Sequence, residues 1–276
     1  MPRDLGEECS RVAARTSQNL TADVSRRQNS DGDRRVAWHR SGDRHWISQR
    51  GRRQAVAYFR NRQGAEQTAA AIRNQGRRTL LIRTNLADGK DIEKLFKEMR
   101  AAWGGLDIFV SNAVSATLRP ALELESRHWD HVLSANLTAF FECSRRSVQL
   151  MNSGPGKIIA ISSLGGRECA PGYAALGVAK AGIEALARYL AVELADRNIN
   201  VNVVCPGLVD SHALQAFASI VPDVNDYKQQ LVERTPAKRI GTPDDVARVV
   251  VFLCSPQAEW IRGQTIIADG GLSLRQ

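Results

Sequence analysis

"INVNVVCPG", residues 199–207, is a short apolar run closed by a Pro-Gly pair, the mark of a buried strand that gives way to a loop. Five further runs of this kind stand along the chain: "AVAYF" (55–59), "RTLLIRTN" (78–85), "LDIFVSNA" (106–113), "KIIAISS" (157–163) and "QTIIADGG" (264–271). Amphipathic stretches fill the gaps. "GKDIEKLFKEMRAAWGG" sets Ile92, Leu95, Phe96 and Met99 at helical spacing and ends in glycines, as a helix stop does. Two longer stretches, about 128–151 and 173–197, carry apolar residues on more than one face, enough to pack a neighbouring subunit as well as a sheet. Strands alternating with helices predict an α/β fold, a doubly wound parallel sheet (Rossmann-like) in a single domain. Ligands of such sheets sit beyond the carboxyl ends of the strands. Asn85, Ser111 with Asn112, Ser162 with Ser163, and Pro206 with Gly207 all fall at those ends, which points to a shared cleft rather than to isolated turn formers.

Composition narrows the function classes. A chain of 276 residues, 43% hydrophobic and 24% charged, is long enough for one well-buried core. Its net charge of +9 is concentrated in residues 1–62, which hold 14 Arg, 7 Asp or Glu and no Lys, leaving 24 basic against 22 acidic residues elsewhere. Those arginines are interspersed with acids, Ser, Gln and Asn, so the segment reads as a solvated tail and not as a nucleic-acid-binding arm. The expected division is a disordered or aberrant tail over 1–35 and the Rossmann-like domain over 36–276, with 36–54 departing from its pattern. Cys9, Cys143, Cys169, Cys205 and Cys254 show no C-x-x-C or metal-like spacing. Reduced thiols, no metal, no membrane partner and a cytoplasmic location are the corresponding expectations.

"YAALGVAK", Tyr173 to Lys180, carries the candidate chemistry. A phenol, with an ordinary pKa of about 10, is a poor acid or base at neutral pH. A nearby ammonium favours the phenolate and lowers that value. On a continuous helix, seven positions are about two turns, roughly 10 Å along one face, with room for an ordered nicotinamide ribose between the two side chains. The pair alone reads equally well as a packing tyrosine and a solvated lysine.

From about Ala55 onward the chain resembles the short-chain dehydrogenase/reductase family, and most closely the NADPH-dependent type III enoyl-acyl-carrier-protein reductases. The resemblance lies in "DIFVSNAVS", "LRPALELESRHWDHVLSAN", "ISSLGG", "YAALGVAKAGIEALARYLAVELA", "VNVVCPG" and "IRGQTIIADGG", roughly four-fifths of the chain. Its subfamily rests on the Tyr-x6-Lys spacing and on Leu176 in the slot where ketone-reducing members carry tyrosine. The resemblance implies catalytic roles for Tyr173, Lys180, Ser163 and Asn136, the last open between holding an active-site water and bending its helix. It implies cofactor contacts at Asn85, Asn112, Ala113, Lys180, Pro206, Gly207, Val209 and Ser211. Arg60 and Arg62 follow the second strand, where cations without an acid favour the 2′-phosphate of NADPH over NADH, although two solvated arginines would look the same.

The implied activity is NADPH-dependent reduction of the double bond of an enoyl thioester, on acyl carrier protein or coenzyme A, in fatty acid or related biosynthesis by a homotetramer. The alternatives are a 3-ketoacyl or other ketone reductase, and a cofactor-binding-deficient pseudoenzyme or subunit partner. Spacing separates the first two physically. In ketone reduction, charge appears on the oxygen bonded to the carbon that receives hydride. In an enoyl thioester, hydride lands on the β carbon and charge develops on the thioester oxygen three bonds away, so the acid must be displaced. "HALQAFASIVPDVNDYKQQLVERTP", with Leu214, Phe217, Ile220 and Val221, suits a mobile lid over an acyl chain, or a piece of core.

The family's first strand and glycine-rich turn should precede Ala55. The chain reads "RRVAWHRSGDRHWISQRGRRQ" there, which predicts neither a buried central strand nor a diphosphate cradle. Read one nucleotide further on, codons available to Trp38 through Trp46 can spell Gly-Thr-Gly-Arg-Gly-Ile-Gly-Ile-Gly. A frameshift before about residue 38, restored near Ala55, is therefore our hypothesis for this segment. The coding sequence tests it: a shifted frame should encode a strand followed by that turn, and its absence refutes the idea.

Overall fold

The computed structural model describes residues 45–49, 53–151, 154–211 and 224–274. The chain divides into Met1–Arg35, which lies outside the described residues, and Val36–Gln276. The latter is built on a seven-stranded sheet. Its strands are β1 (His45–Gln49), β2 (Arg53–Tyr58), β3 (Arg78–Arg83), β4 (Ile108–Ser111), β5 (Gly156–Ile161), β6 (Ile199–Pro206) and β7 (Thr265–Ala268), in the order β3-β2-β1-β4-β5-β6-β7. The helices are α1 (Arg62–Arg73), α2 (Gly89–Trp103), α3 (Ser126–Leu133), α4 (Ala139–Leu150), α5 (Ala174–Glu193), α6 (Val224–Arg234) and α7 (Pro243–Cys254).

Alternation along the strands feeds two cores, because successive side chains point to opposite faces. Ile158 and Ala160 join Phe96 and Met99 of α2, Phe140 of α4 and Ile183 and Ala187 of α5. Ile159 and Ile161 join Ile72 of α1 and Val250 and Leu253 of α7. In α2 the predicted stripe of Ile92, Leu95, Phe96 and Met99 is buried. Each such side chain contributes roughly 1.5–3 kcal/mol. The helix starts where Asp88 accepts from Lys90 N and stops at Gly104, whose φ of 75° suits a residue without a Cβ. The predicted helix over 128–151 is divided into α3 and α4 by a π turn, Ser134–Thr138. No helix among the described residues is long and apolar enough to cross a membrane.

Every predicted strand is present, but the ladders stop one to three residues short of the predicted carboxyl ends at Asn85, Ala113, Ser163, Gly207 and Gly271. Asn85, Asn112, Ser162 and Ser163 therefore sit in loops beyond the sheet, while Ser111 is the last residue of β4.

One expectation is corrected. The segment 36–54 supplies a central strand after all, and that strand is antiparallel to both neighbours while the pairs β2–β3, β4–β5, β5–β6 and β6–β7 are parallel. Three residues, 50–52, separate β1 from β2. A parallel return needs a crossover of about a dozen residues, whereas a few suffice for a hairpin. An empty slot between β2 and β4 would leave two facing rows of backbone N–H and C=O groups unpaired, each at a cost of about 1–3 kcal/mol. "HWISQ", with Trp46 and Ile47 tolerant of extended backbone, fills it. The reversal has a spatial consequence. His45 pairs with Ala57 and Gln49 with Arg53, so the last residue of β1 lies at the amino edge of β2, opposite the edge where the polar loops gather.

Candidate active site

The site is assembled at the end of β5. Beyond Ile161 come Ser162 and Ser163, the short turn Leu164–Gly166, and then α5, whose N-cap is Tyr173. The phenol of Tyr173 donates to Ser163 Oγ at 3.2 Å, and Gly165 N donates to the same oxygen at 3.2 Å. Lys180 Nζ donates to Ile161 O at 2.7 Å. The side chains of Tyr173 and Lys180 thus converge on residues 161–165.

Two details differ from the sequence expectation. Tyr173 has φ −100° and ψ 4°, so it caps α5 and does not share a helical face with Lys180. The phenol, expected below its ordinary pKa, is instead pushed up by burial, partly offset by the Ser163 hydrogen bond. Lys180, only 4% exposed, directs its ammonium at the Ile161 carbonyl, and burial brings its pKa from 10.5 to about 8. Among the described residues one acceptor serves its three N–H donors. A ribose diol is chemically suited to take the other two.

The glycines of "ISSLGG" and of "ALGVAK" were not singled out by sequence reasoning, yet they seat the phenol. A Cβ on Gly165 would run into the ring of Tyr173, and one on Gly177 would come within 2.5 Å of Gly165 O. A Gly-Gly pair two positions after the serine that ends the predicted strand was the available signal for Gly165. Leu176, one turn before Lys180, is buried with Val132 and Ala175 against Val114, Leu124 and Tyr173, so that slot offers no proton donor.

Asn136 lies in the π turn. Its Nδ2 donates to Ser115 O and Val132 O, both at 2.7 Å, and its Oδ1 accepts from Ser115 N at 3.3 Å. One amide proton thus fastens the loop after β4 and the other the Val132 carbonyl one turn back in α3. Ser115 Oγ in turn meets His131 Nε2 at 2.9 Å. Asn112 and Ala113 are half-buried beyond β4. Asn85 accepts from Ala87 N at 3.2 Å beyond β3. Pro206 ends β6, Gly207 has no space for a Cβ beside Asp269, and Val209 bridges Gly241. Ser211 precedes residues 212–223, so the expected lid residues Leu214, Phe217, Ile220 and Val221 lie outside the described residues. Arg60 and Arg62 are exposed beyond β2, Arg60 lying 5.5 Å from the Phe59 ring centroid and Arg62 Nε 3.9 Å from Glu66. Among the described residues no cluster of three or more His, Cys, Asp or Glu side chains is placed to hold a metal ion.

A nicotinamide dinucleotide therefore meets a site of unequal halves. Lys180, Tyr173, Ser163 and the side-chain-free Gly207 fit the nicotinamide riboside. The diphosphate would need backbone N–H groups at a helix N-terminus following β1. The antiparallel pairing ends β1 at the other edge of the sheet, where Gln49 pairs with Arg53, so the described residues do not fit that half.

Residues 45–273 match the family described as Enoyl-(Acyl carrier protein) reductase. The chain belongs to the short-chain dehydrogenase/reductase family. It is an oxidoreductase of that family, whose members use NAD(P). It is similar to 1-cyclohexenylcarbonyl-CoA reductase of Streptomyces collinus, 36% identical over 230 residues that cover 83% of this chain and 80% of the relative. It is also similar to 3-oxoacyl-(acyl-carrier-protein) reductase FabG of Staphylococcus epidermidis, 33% identical over 82% of this chain and 91% of that protein. The solved structure of angucycline C-6 ketoreductase LanV with bound NADP superposes with a TM-score of 0.72 at 30% identity, covering 80% of this chain and 85% of that one.

Buried Lys180 makes a testable contribution to stability. Its folded pKa of about 8 lies below the ordinary 10.5, so between these values the unfolded chain holds a proton the folded one has released, and stability rises with pH across that window. Lys180→Met should be more resistant to urea than the parent below about pH 8 and should lose that advantage as pH approaches 10.5. A constant difference in midpoint across the window would show that the ammonium is not desolvated.

Proposed function

We propose that the protein reduces the carbon–carbon double bond of an enoyl thioester, carried by coenzyme A or acyl carrier protein, with NADPH. The observation that carries this reading is the pairing of Tyr173 with Ser163 beside a Leu176 that leaves the slot next to Lys180 without an acid. The donor thus stands away from the position that serves a carbonyl receiving hydride directly. The name of the Streptomyces relative supports the same reading, since a 1-cyclohexenylcarbonyl thioester holds its double bond in conjugation with the thioester carbonyl.

In this reading Tyr173 donates a hydrogen bond to the thioester oxygen as enolate charge develops there. Ser163 orients the phenol, and Lys180 holds the ribose hydroxyls. Bound nicotinamide supplies the hydride. Burial suits this division of labour, because a phenol kept protonated is a donor throughout the working pH range. Loss of such a preorganised donor costs about 2.7–4 kcal/mol. Arg60 and Arg62 would select the 2′-phosphate of NADPH. Exposed Phe141 on α4 with Val178, Tyr189 and Val192 on α5 would be covered in a homotetramer.

Two other readings keep specific support. Ketone reduction is favoured by the similarity to FabG and LanV. A chain deficient in cofactor binding is favoured by the antiparallel β1. Assays with crotonyl and acetoacetyl thioesters in parallel, combined with NADPH titration, separate the three. Crotonyl thioester should be reduced in preference, and Tyr173→Phe should lower its kcat about 10²–10³-fold. Preference for acetoacetyl thioester would transfer the assignment to ketone reduction, and failure to bind NADPH would favour the deficient form.

A further inference from the structure

Glu184 stands one turn beyond Lys180 on α5, and it is only 5% exposed. Its carboxylate accepts from Ser162 Oγ at 2.7 Å and from Arg167 through Nε at 2.9 Å and Nη2 at 2.8 Å. Ser162 and Arg167 are the residues immediately outside the turn 163–166. Within that turn lie Ser163, which accepts from the phenol, and Gly165, which backs its ring. The turn rests directly on α5: a Cβ on Gly166 would come within 3.0 Å of Ala181 N and of Lys180 Cβ. Ser162 Oγ also lies 3.5 Å from Lys180 O.

Taking a carboxylate out of water costs several kcal/mol, and a well-packed apolar residue in its place is often neutral or stabilising. Packing alone gives no reason for an acid here. Geometry does, since one carboxylate grips both ends of the turn from the helix that bears Tyr173 and Lys180. We propose that Glu184 is a positioning residue, which holds Ser163 and Gly165 in register with Tyr173 by clamping Ser162 and Arg167 to α5. The proposal rests on Tyr173 as the proton donor and deepens that reading.

The test compares Glu184→Leu, which removes the clamp, with Glu184→Gln, whose amide oxygen can accept from Arg167 while its N–H donates to the Ser162 hydroxyl. Chain labelled with 3-fluorotyrosine reports the Tyr173 resonance by fluorine NMR, assigned through Tyr173→Phe, and needs neither cofactor nor turnover. Glu184→Leu should retain the fold by circular dichroism while Tyr173 titrates at higher pH than in the parent, because the Ser163 hydrogen bond favours the phenolate. Its kcat for crotonyl thioester should fall about 10²-fold with KM little changed, as expected for a misplaced catalytic group, and Glu184→Gln should recover most of both. A Tyr173 titration and kcat unchanged in Glu184→Leu would overturn the proposal. If Glu184→Leu does not fold, the double variant Ser162→Ala/Arg167→Met loosens the same turn from its other side and is read by the same two criteria. A shifted Tyr173 titration in a chain that reduces no enoyl thioester would uphold the clamp and refute the enoyl assignment.

Discussion

The hydrogen bond from the phenol of Tyr173 to Ser163 Oγ sets the constraint under which the rest of the site is built. Ser163 is placed by β5, a strand buried along its whole length, and Tyr173 by its position as the N-cap of α5. Neither placement alone fixes the phenol. The ring needs the space left by Gly165, and Gly165 needs the close approach permitted by Gly177. Two glycines and one serine thereby convert a strand end and a helix start into a donor of fixed direction, which is the preorganisation that stabilisation of a developing oxyanion demands.

The same neighbourhood holds charged groups that stability alone would not select. Lys180 is buried with a backbone carbonyl as acceptor, and Glu184 is buried against Ser162 and Arg167. Cys205, on the adjacent strand, has its thiol pushed up to about 12, chiefly by burial. The apolar packing of α2, α4 and α5 on one face of the sheet and of α1 and α7 on the other offsets these costs. A donor, a cation and an acid are thus kept around the turn after β5 by two main cores that contain none of them.

Most of the scaffold was readable because apolar runs and amphipathic stripes report burial locally. Leu95 and Phe96 face the core for the reason their spacing indicates, and the polar loops beyond β3, β4, β5 and β6 fall where the strands run out. The remainder depended on tertiary information. Tyr173 reads as a helix residue because its neighbours are helix formers, but its seat is decided by Gly165, eight positions earlier. Glu184 looks like one of many exposed helix acids until Ser162, 22 positions away, is brought beneath it. Residues 45–49 carry no strong strand signal, and a vacant slot between β2 and β4 decides their conformation and, through the short link to Arg53, their direction. In the proposed reading, that direction leaves Tyr173, Ser163 and Lys180 together for the nicotinamide half and the described residues without the turn expected for the diphosphate half.

Isotope-edited infrared spectroscopy of crotonyl-CoA labelled with carbon-13 at the thioester carbonyl tests the role of Tyr173 most directly. Binding to the parent protein should move the carbonyl band to lower frequency, as a phenol donating to that oxygen requires, and Tyr173→Phe should return it to its solution position. A band unmoved by binding, or moved equally in the parent and in Tyr173→Phe, would contradict the assignment of Tyr173 as the group that meets the charge on the thioester oxygen.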